Sequence, residues 1–184
     1  MKKILLLAII VMAFAFSASA QVPAKPFNIY ASAGLTLPSG DASDFYKSGF
    51  HGNAQLGFNS FPKGEILINL GYHKLSSDYE GVEGGDLSAI LAGADLKLNL
   101  GVPAAPISPF VFAGAGISTL SWSDETETIG TVTTTYTYDS ENKFYFEVGG
   151  GVQFSQFFVK VRYVNISIDD MTLAMLPLSV GVKF

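Results

Sequence analysis

The chain has 184 residues, with 11 Lys and Arg against 16 Asp and Glu, and it contains no Cys. Hydrophobic residues make up 48% and charged residues only 15%, which excludes a disordered chain, while the acidic balance argues against nucleic acid as a partner. The lack of Cys excludes a disulfide scaffold, a thiolate metal site and a Cys nucleophile.

Residues 1–20 have the pattern of a cleaved secretory signal peptide. Two lysines are followed by an uncharged apolar run over residues 4–16 and by a small-x-small cleavage site at 18–20. Cleavage there would make Gln21 the mature N-terminus and leave residues 21–184 as one domain. That domain has no second apolar run long enough for a transmembrane helix, so any membrane it enters it must enter as a β-barrel.

Eight stretches of the mature chain alternate between apolar and polar residues, which predicts β-strands with one apolar face. The predicted strands cover residues 27–37, 50–59, 65–75, 87–100, 109–120, 143–154, 157–168 and 175–184. The faces of strand 109–120 stay unassigned because Gly and Phe fill it. Pro177 donates no hydrogen bond, so we expect regular pairing of the last strand only after it.

Alternation alone is equally typical of a soluble sandwich or a lipocalin-like barrel. Three further features favour a transmembrane barrel. The polar faces carry few charges, whereas a water-facing surface should be dense in charge. The strands have about the ten residues needed to cross an apolar band of about 25 Å at a tilt near 40°. Short turns alternate with loops of about 12, 11 and 22 residues, the layout of outer-membrane barrels.

Most acidic residues lie in the long loops rather than in the strands. Thirteen of the 16 acids lie in the predicted long loops: Asp41, Asp44, Asp78, Glu80, Glu83, Asp86, Asp124, Glu125, Glu127, Asp139, Glu141, Asp169 and Asp170. The other three, Glu65, Asp95 and Glu147, lie on predicted interior faces. None lies on a predicted lipid face, where a charge at mid-bilayer would cost a few kcal/mol.

The polar faces predict a charge network inside the barrel. Its members are Glu65, Asp95, Lys97, Glu147, Lys160, Arg162 and Lys183. A polar channel is the alternative, but eight strands enclose space only for side chains, which favours a plugging network.

Tight turns predict the register of these strands. A two-residue turn at Ser155-Gln156 sets Phe154 opposite Phe157 and Glu147 diagonal to Arg162. Pairing of Asn59 with Glu65, and of Leu75 with Leu87, sets Glu65 opposite Lys97.

The same register places His51 opposite His73 near the loop end of the barrel. Facing imidazoles can bind a metal, but His in a wet interior is more often polar filling. We therefore predict no metal site and no cofactor.

Aromatic residues are predicted to form girdles at both membrane interfaces. Tyr72, Tyr163, Phe50 and Phe144 lie towards the loop end, and the turn end has Phe27, Phe58, Phe154, Phe157 and Phe184.

The last ten residues carry the most specific signal. The chain ends in Phe184, and apolar residues fill every second position before it: Leu176, Leu178, Val180 and Val182. This looks like the C-terminal assembly signal that the barrel-assembly machinery recognises in outer-membrane proteins. With the eight strands, residues 21–184 resemble the small OmpA/OmpX-type outer membrane protein β-barrel domain family, a porin-like family. The resemblance implies an all-β fold, an eight-stranded antiparallel up-and-down transmembrane β-barrel, in the outer membrane of a Gram-negative-type bacterium.

The resemblance and the residues together favour a structural or surface-interaction protein that displays acidic extracellular loops from a side-chain-filled barrel. A narrow pore for ions or small solutes is an alternative, and a lipid-modifying outer-membrane enzyme is a weaker one. Lipid A deacylase barrels place a Ser–His pair on the outer wall, whereas both His here are predicted to point inward. No catalytic residue is therefore predicted. The expected partners are outer-membrane lipid or lipopolysaccharide and, during insertion, the barrel-assembly machinery.

The longest predicted loop, residues 121–142, is not composed like a flexible linker. Seven of its residues between 126 and 137 are Thr, a strand former, and Ile129-Gly130 offers a tight turn. We predict that strands five and six continue beyond the membrane as a two-stranded ribbon. Some OmpX-like proteins show such a protrusion and are thought to contact other proteins with it, so a protein partner is expected at this loop.

Overall fold

The computed structural model describes residues 27–78, 85–101, 107–129, 132–168 and 171–184. The predicted signal peptide at 1–20 and the expected N-terminus at Gln21 lie outside these residues. The described part contains ten strands: β1 (Phe27–Ser39), β2 (Gly49–Phe61), β3 (Gly64–Leu75), β4 (Leu87–Asn99), β5 (Ser108–Trp122), β6 (Glu125–Ile129), β7 (Val132–Tyr136), β8 (Glu141–Phe154), β9 (Phe157–Ile168) and β10 (Met171–Lys183). A short 3-10 helix, Gly40–Asp44, follows β1.

Eight of these strands close into one barrel. The order around the wall is β1-β10-β9-β8-β5-β4-β3-β2, every pair is antiparallel, and β1 pairs with both β10 and β2. The all-β, eight-stranded antiparallel up-and-down barrel is therefore confirmed. None of the described residues forms a helix with the length and apolar character to cross a bilayer.

The predicted register is confirmed at two short hairpins and across the long connection between β3 and β4. Asn59 pairs with Glu65, Leu75 with Leu87, and Phe154 with Phe157. Lys63 and Ser155, in the two hairpin turns, adopt positive φ angles of 67° and 57° without being glycine. The turns therefore hold the strands in the alignment that decides which side chains face each other inside.

The prediction that β10 pairs regularly only after Pro177 is wrong. The strand begins at Met171, and residues 171–175 already pair with β9. Pairing with β9 is interrupted at residues 176–177 and resumes from Leu178 in the same register, while Pro177 pairs with Thr36 of β1 on the other side. One missing N–H therefore removes a local bond without shifting the strand.

The outer wall is apolar. Large side chains such as Leu35, Leu70 and Val180 are 60%, 58% and 64% exposed. Phe27, Phe58, Phe154, Phe157 and Phe184 point outward at the turn end, and Phe50, Tyr72 and Phe144 do so towards the loop end. A continuous apolar belt with aromatic rims is unfavourable in water and matches a bilayer, so this barrel is a transmembrane one.

The predicted ribbon is present, but it does not simply continue the barrel strands. β6 and β7 form a separate two-stranded sheet in which Glu125 pairs with Tyr136 and Ile129 with Val132. Residues 123–124 and 137–140 separate it from β5 and β8. The expected turn residue Gly130 lies outside the described residues.

Candidate functional site

The barrel interior is arranged in layers along the barrel axis. A loop-side apolar layer consists of Leu75, Leu87, Leu91, Leu120, Val164, Ile166, Leu173 and Met175. Polar side chains fill the middle, and an apolar cluster at the turn end contains Leu67 and four aromatic residues, Tyr30, Phe110, Phe112 and Phe158. Interior space is scarce, so the candidate sites are this filled lumen and the mouth above it.

Glu65 is the centre of the turn-side polar cluster. Its carboxylate accepts hydrogen bonds from the Tyr30 hydroxyl and from Asn28 Nδ2, the latter at 3.1 Å. Lys183 Nζ lies 3.3 Å and Lys97 Nζ 3.7 Å from its oxygens. Lys97 Nζ also lies 4.7 Å from the ring centres of Tyr30 and Phe110, so aromatic faces and a carboxylate share the buried charge.

Glu147 is the centre of the middle layer. Arg162 Nη1 donates to its Oε2 at 3.0 Å, and Asn69 Nδ2 donates to its Oε1 at 3.2 Å. Asn69 Nδ2 also donates to Asp95 Oδ1 at 2.9 Å. Tyr145 donates its hydroxyl to Asn69 Oδ1 at 3.0 Å. Side chains from β3, β4, β8 and β9 are thus tied together across the lumen.

Lys160 reaches the same layer through amides. Its Nζ donates to Gln55 Oε1 at 2.8 Å and to Asn53 Oδ1 at 3.4 Å, and Gln55 Nε2 donates to Asp95 Oδ2 at 3.1 Å. The Gln55 amide therefore bridges the Lys160 ammonium and the Asp95 carboxylate. Arg162 Nε, by contrast, has no hydrogen-bond partner among the described residues.

The two histidines face inward and stack, with ring centres 5.0 Å apart. Arg162 has only donors, so His73 Nε2, 3.3 Å from Arg162 Nη2, accepts and His73 Nδ1 carries the proton. His73 Nδ1 therefore donates a hydrogen bond to Thr36 Oγ1 at 3.0 Å, and the Thr36 hydroxyl donates to His51 Nδ1, also at 3.0 Å. His51 Nε2 then donates to Ser179 Oγ at 2.8 Å. Every imidazole nitrogen therefore has a hydrogen-bond partner within this chain of bonds.

The structure places all seven charged residues of the predicted network inside the barrel. Six of them, Glu65, Asp95, Lys97, Glu147, Lys160 and Arg162, are buried, and Lys183 is partly exposed at the turn end. They form two clusters rather than one, around Glu65 and around Glu147. The expected diagonal contact of Glu147 with Arg162 and the facing pair Glu65 and Lys97 are both observed.

Glycines make room for the large interior side chains. A Cβ on Gly114 would lie 1.9 Å from Asp95 Oδ1, and one on Gly93 would lie 2.4 Å from the Tyr145 hydroxyl. A Cβ on Gly149 would lie 2.6 Å from the ring of Phe112. The contacts of Gly114 and Gly149 explain part of the Gly and Phe content of β5 and β8. The faces of β5 are the ones that the sequence left unassigned.

Sequence reasoning missed the mouth cavity. It has a volume of about 680 Å³ at the loop end, with a floor of Leu87 and Leu173 and walls that include Phe45, Tyr46, Trp122 and Tyr138. The available signal was in β4, where Leu87, Ala89 and Leu91 put apolar side chains on the inward face that is polar further down the strand.

The residues of the predicted assembly signal lie at the end of the outer wall. Leu178, Val180 and Phe184 are exposed, whereas Leu176 and Val182 are partly covered. The terminal strand pairs with β1, so these residues lie at the seam where the barrel closes.

Comparison with known proteins supports the same architecture. Neisserial surface protein A (NspA) is 16% identical with a TM-score of 0.60, over 86% of this chain and 96% of that chain. Ail, the attachment invasion locus protein of Yersinia pestis, is 15% identical with a TM-score of 0.52, over 86% and 97%. OprG from Pseudomonas aeruginosa is 9% identical with a TM-score of 0.52, over 87% and 97%. Identities this low show the fold alone. No curated protein is significantly similar in sequence.

A match to a family model provides evidence of relationship from the sequence itself. The family model described as "Outer membrane protein beta-barrel domain" matches residues 6–184, which include every strand of the barrel. Together with the closed barrel and its apolar outer wall, this match shows that the chain belongs to the outer membrane protein beta-barrel domain family, a family of the outer membrane.

Proposed function

We propose that this barrel has a structural or surface-interaction role and displays acidic extracellular loops from a lumen that conducts nothing. The observation that carries the proposal is the filled interior. The loop-side apolar layer closes the barrel below its mouth, and the cavity bounded by Tyr30, Lys97, Phe110 and Lys160 has about 10 Å³, roughly the space of one water molecule.

The loop side has the features of a surface for contacts. Thirteen acidic residues lie in the predicted loops of this side, and the β6–β7 ribbon, a two-stranded sheet with two short edges, extends from it. An edge with unpaired backbone groups can accept a strand from another protein. Two similar barrels, a Neisserial surface protein and an attachment invasion locus protein, have names in keeping with a role at the cell surface.

The inward position of both histidines weighs against the lipid-modifying alternative. His51 and His73 are 2% and 1% exposed, and the hydroxyl that His51 contacts, on Ser179, is buried beside it. A lipid in the surrounding bilayer would have to pass through the wall to reach these groups.

Single-channel recording in planar bilayers tests the proposal. The purified barrel is expected to give no steady conductance steps, because both apolar and ion-paired layers block the lumen. Replacing Leu75 and Leu120 with Gly opens only the apolar layer, so this variant should also give no steps, because the ion-paired layer below it remains. Regular conductance steps from the unmodified barrel would contradict the filled-barrel role and favour the narrow pore.

A further inference from the structure

The mouth cavity is a built pocket, closed at its base. Leu87 and Leu173 in its floor are buried and belong to the loop-side apolar layer, and Tyr46, Trp122 and Ile168 pack against that layer. A molecule that enters from the loop side therefore stops there. A volume of about 680 Å³ lies in the range of small-molecule sites.

The walls of the cavity are held in place by bonds between loops. Trp122 Nε1 donates to the Tyr46 hydroxyl at 2.9 Å. The amide of Asp78 donates to the Phe45 carbonyl at 2.9 Å, and Ser123 and Asp86 exchange bonds of 2.9 Å at the start of the ribbon. The aromatic rings are thereby positioned before any ligand arrives, which lowers the entropy cost of binding.

The two charged residues that line this cavity, Asp139 and Glu141, are both acidic. Lys47, Lys74 and Lys143 are the lysines of the loop end, and they pair with Asp78, Asp86 and Glu141. Asp139 lines the cavity and has no ion-pair partner among the described residues. Four aromatic residues and an unpaired carboxylate in one cavity suit a cation with an apolar body, since cations bind both ring faces and carboxylates.

We propose that the mouth cavity binds small amphipathic organic cations, with the apolar body against Trp122 and the floor and the ammonium group near Asp139. This inference is independent of the surface role proposed above, because it needs no macromolecular partner. It also differs from a pore, because the cavity ends on the loop-side apolar layer.

Trp122 allows a direct test, since it is the only Trp in the sequence. Its fluorescence in nanodiscs of zwitterionic lipid should change saturably with benzyltrimethylammonium. Benzyl alcohol and benzenesulfonate, which share the ring but not the charge, should bind at least tenfold more weakly. Equal responses to all three probes, or no saturable response to the cation, would overturn the proposal.

Two variants locate the site. Thr172→Phe places a ring in the cavity from an exposed lining position and should weaken binding at least tenfold. Asp139→Asn should weaken cation binding about two- to fivefold, the range of an exposed charge pair. Asp124→Asn is the matched control, because Asp124 is an exposed acid of the same connection that does not line the cavity. Each variant must retain the gel mobility of the folded barrel. Unchanged affinity in Thr172→Phe, or equal losses in both Asp variants, would contradict the assignment.

Discussion

Glu147 shows how a single interior residue stabilises this barrel. It is 1% exposed, comes from β8, and accepts hydrogen bonds from Arg162 of β9 and Asn69 of β3. A buried ion pair contributes little beyond what well-packed apolar residues would, but losing one partner leaves the other charge uncompensated. The pair therefore makes the register of β8, β9 and β3 costly to change.

Replacement of Glu147 by Gln should therefore lower the free energy of unfolding by about 3–5 kcal/mol, because it leaves the Arg162 guanidinium buried without its ion-pair partner. Urea unfolding in micelles, followed by Trp122 fluorescence, measures this change. The matched control is Glu141→Gln, which removes an exposed ion pair with Lys143 and should cost about 1 kcal/mol or less. Adding Arg162→Met to Glu147→Gln should restore part of the loss. Equal effects of the two single variants would contradict this role for Glu147.

Among the elements, β10 closes the barrel and carries the residues that resemble an assembly signal. Deleting Phe184, or replacing Val182 with Asp, should strongly reduce insertion into the outer membrane, measured by membrane fractionation. The direct cost of a charge near the interface is only about 0–1 kcal/mol, so a large loss would point to recognition rather than to lipid contact. Ala31→Asp is the control, because Ala31 lies opposite Val182 on β1 and outside the signal. If Ala31→Asp is as harmful as Val182→Asp, the assignment of the signal is wrong.

The ribbon is the second element with a testable property. Its backbone pairing predicts slowed amide exchange within β6 and β7, although a two-stranded sheet is only marginally stable in water. Thr134→Pro removes a donor and restricts the chain inside the paired region, so protection across the ribbon should disappear. Thr137→Pro lies beyond the pairing and should leave protection intact. Uniformly fast exchange over residues 124–140 of the unmodified protein would show that the ribbon does not form in solution.

For the whole molecule, the closure of the barrel determines how it resists unfolding. No strand of the barrel wall has a free edge, so unfolding cannot begin by peeling one strand away. The detergent-solubilised protein should therefore stay compact on a gel without boiling and shift its mobility after boiling. Thr134→Pro should keep this shift, because the ribbon is a separate sheet. Identical mobility before and after boiling would contradict a stably closed barrel.

Much of this architecture follows from period-two alternation in the sequence. The apolar set of a strand faces lipid, so residues of the opposite set, such as Glu65 and Lys97, must lie inside. Short hairpin turns then determined the local register, because a turn of only a few residues restricts how the two strands can align. For the same reason the facing pair of His51 and His73 was predictable, since they lie on consecutive strands.

The tertiary structure alone decided how the interior is filled. Contacts across the lumen join strands that are distant in sequence, such as Asn69 with Glu147 and His51 with Ser179, and no alternation pattern specifies them. The mouth cavity likewise depends on how the loop after β1, the start of β4, the end of β5, residues 137–141 and the start of β10 come together. In the strands with clear alternation, the sequence determined which face a side chain takes, because that choice is local. The depth and shape of the lumen arise only when eight strands close around the same limited space.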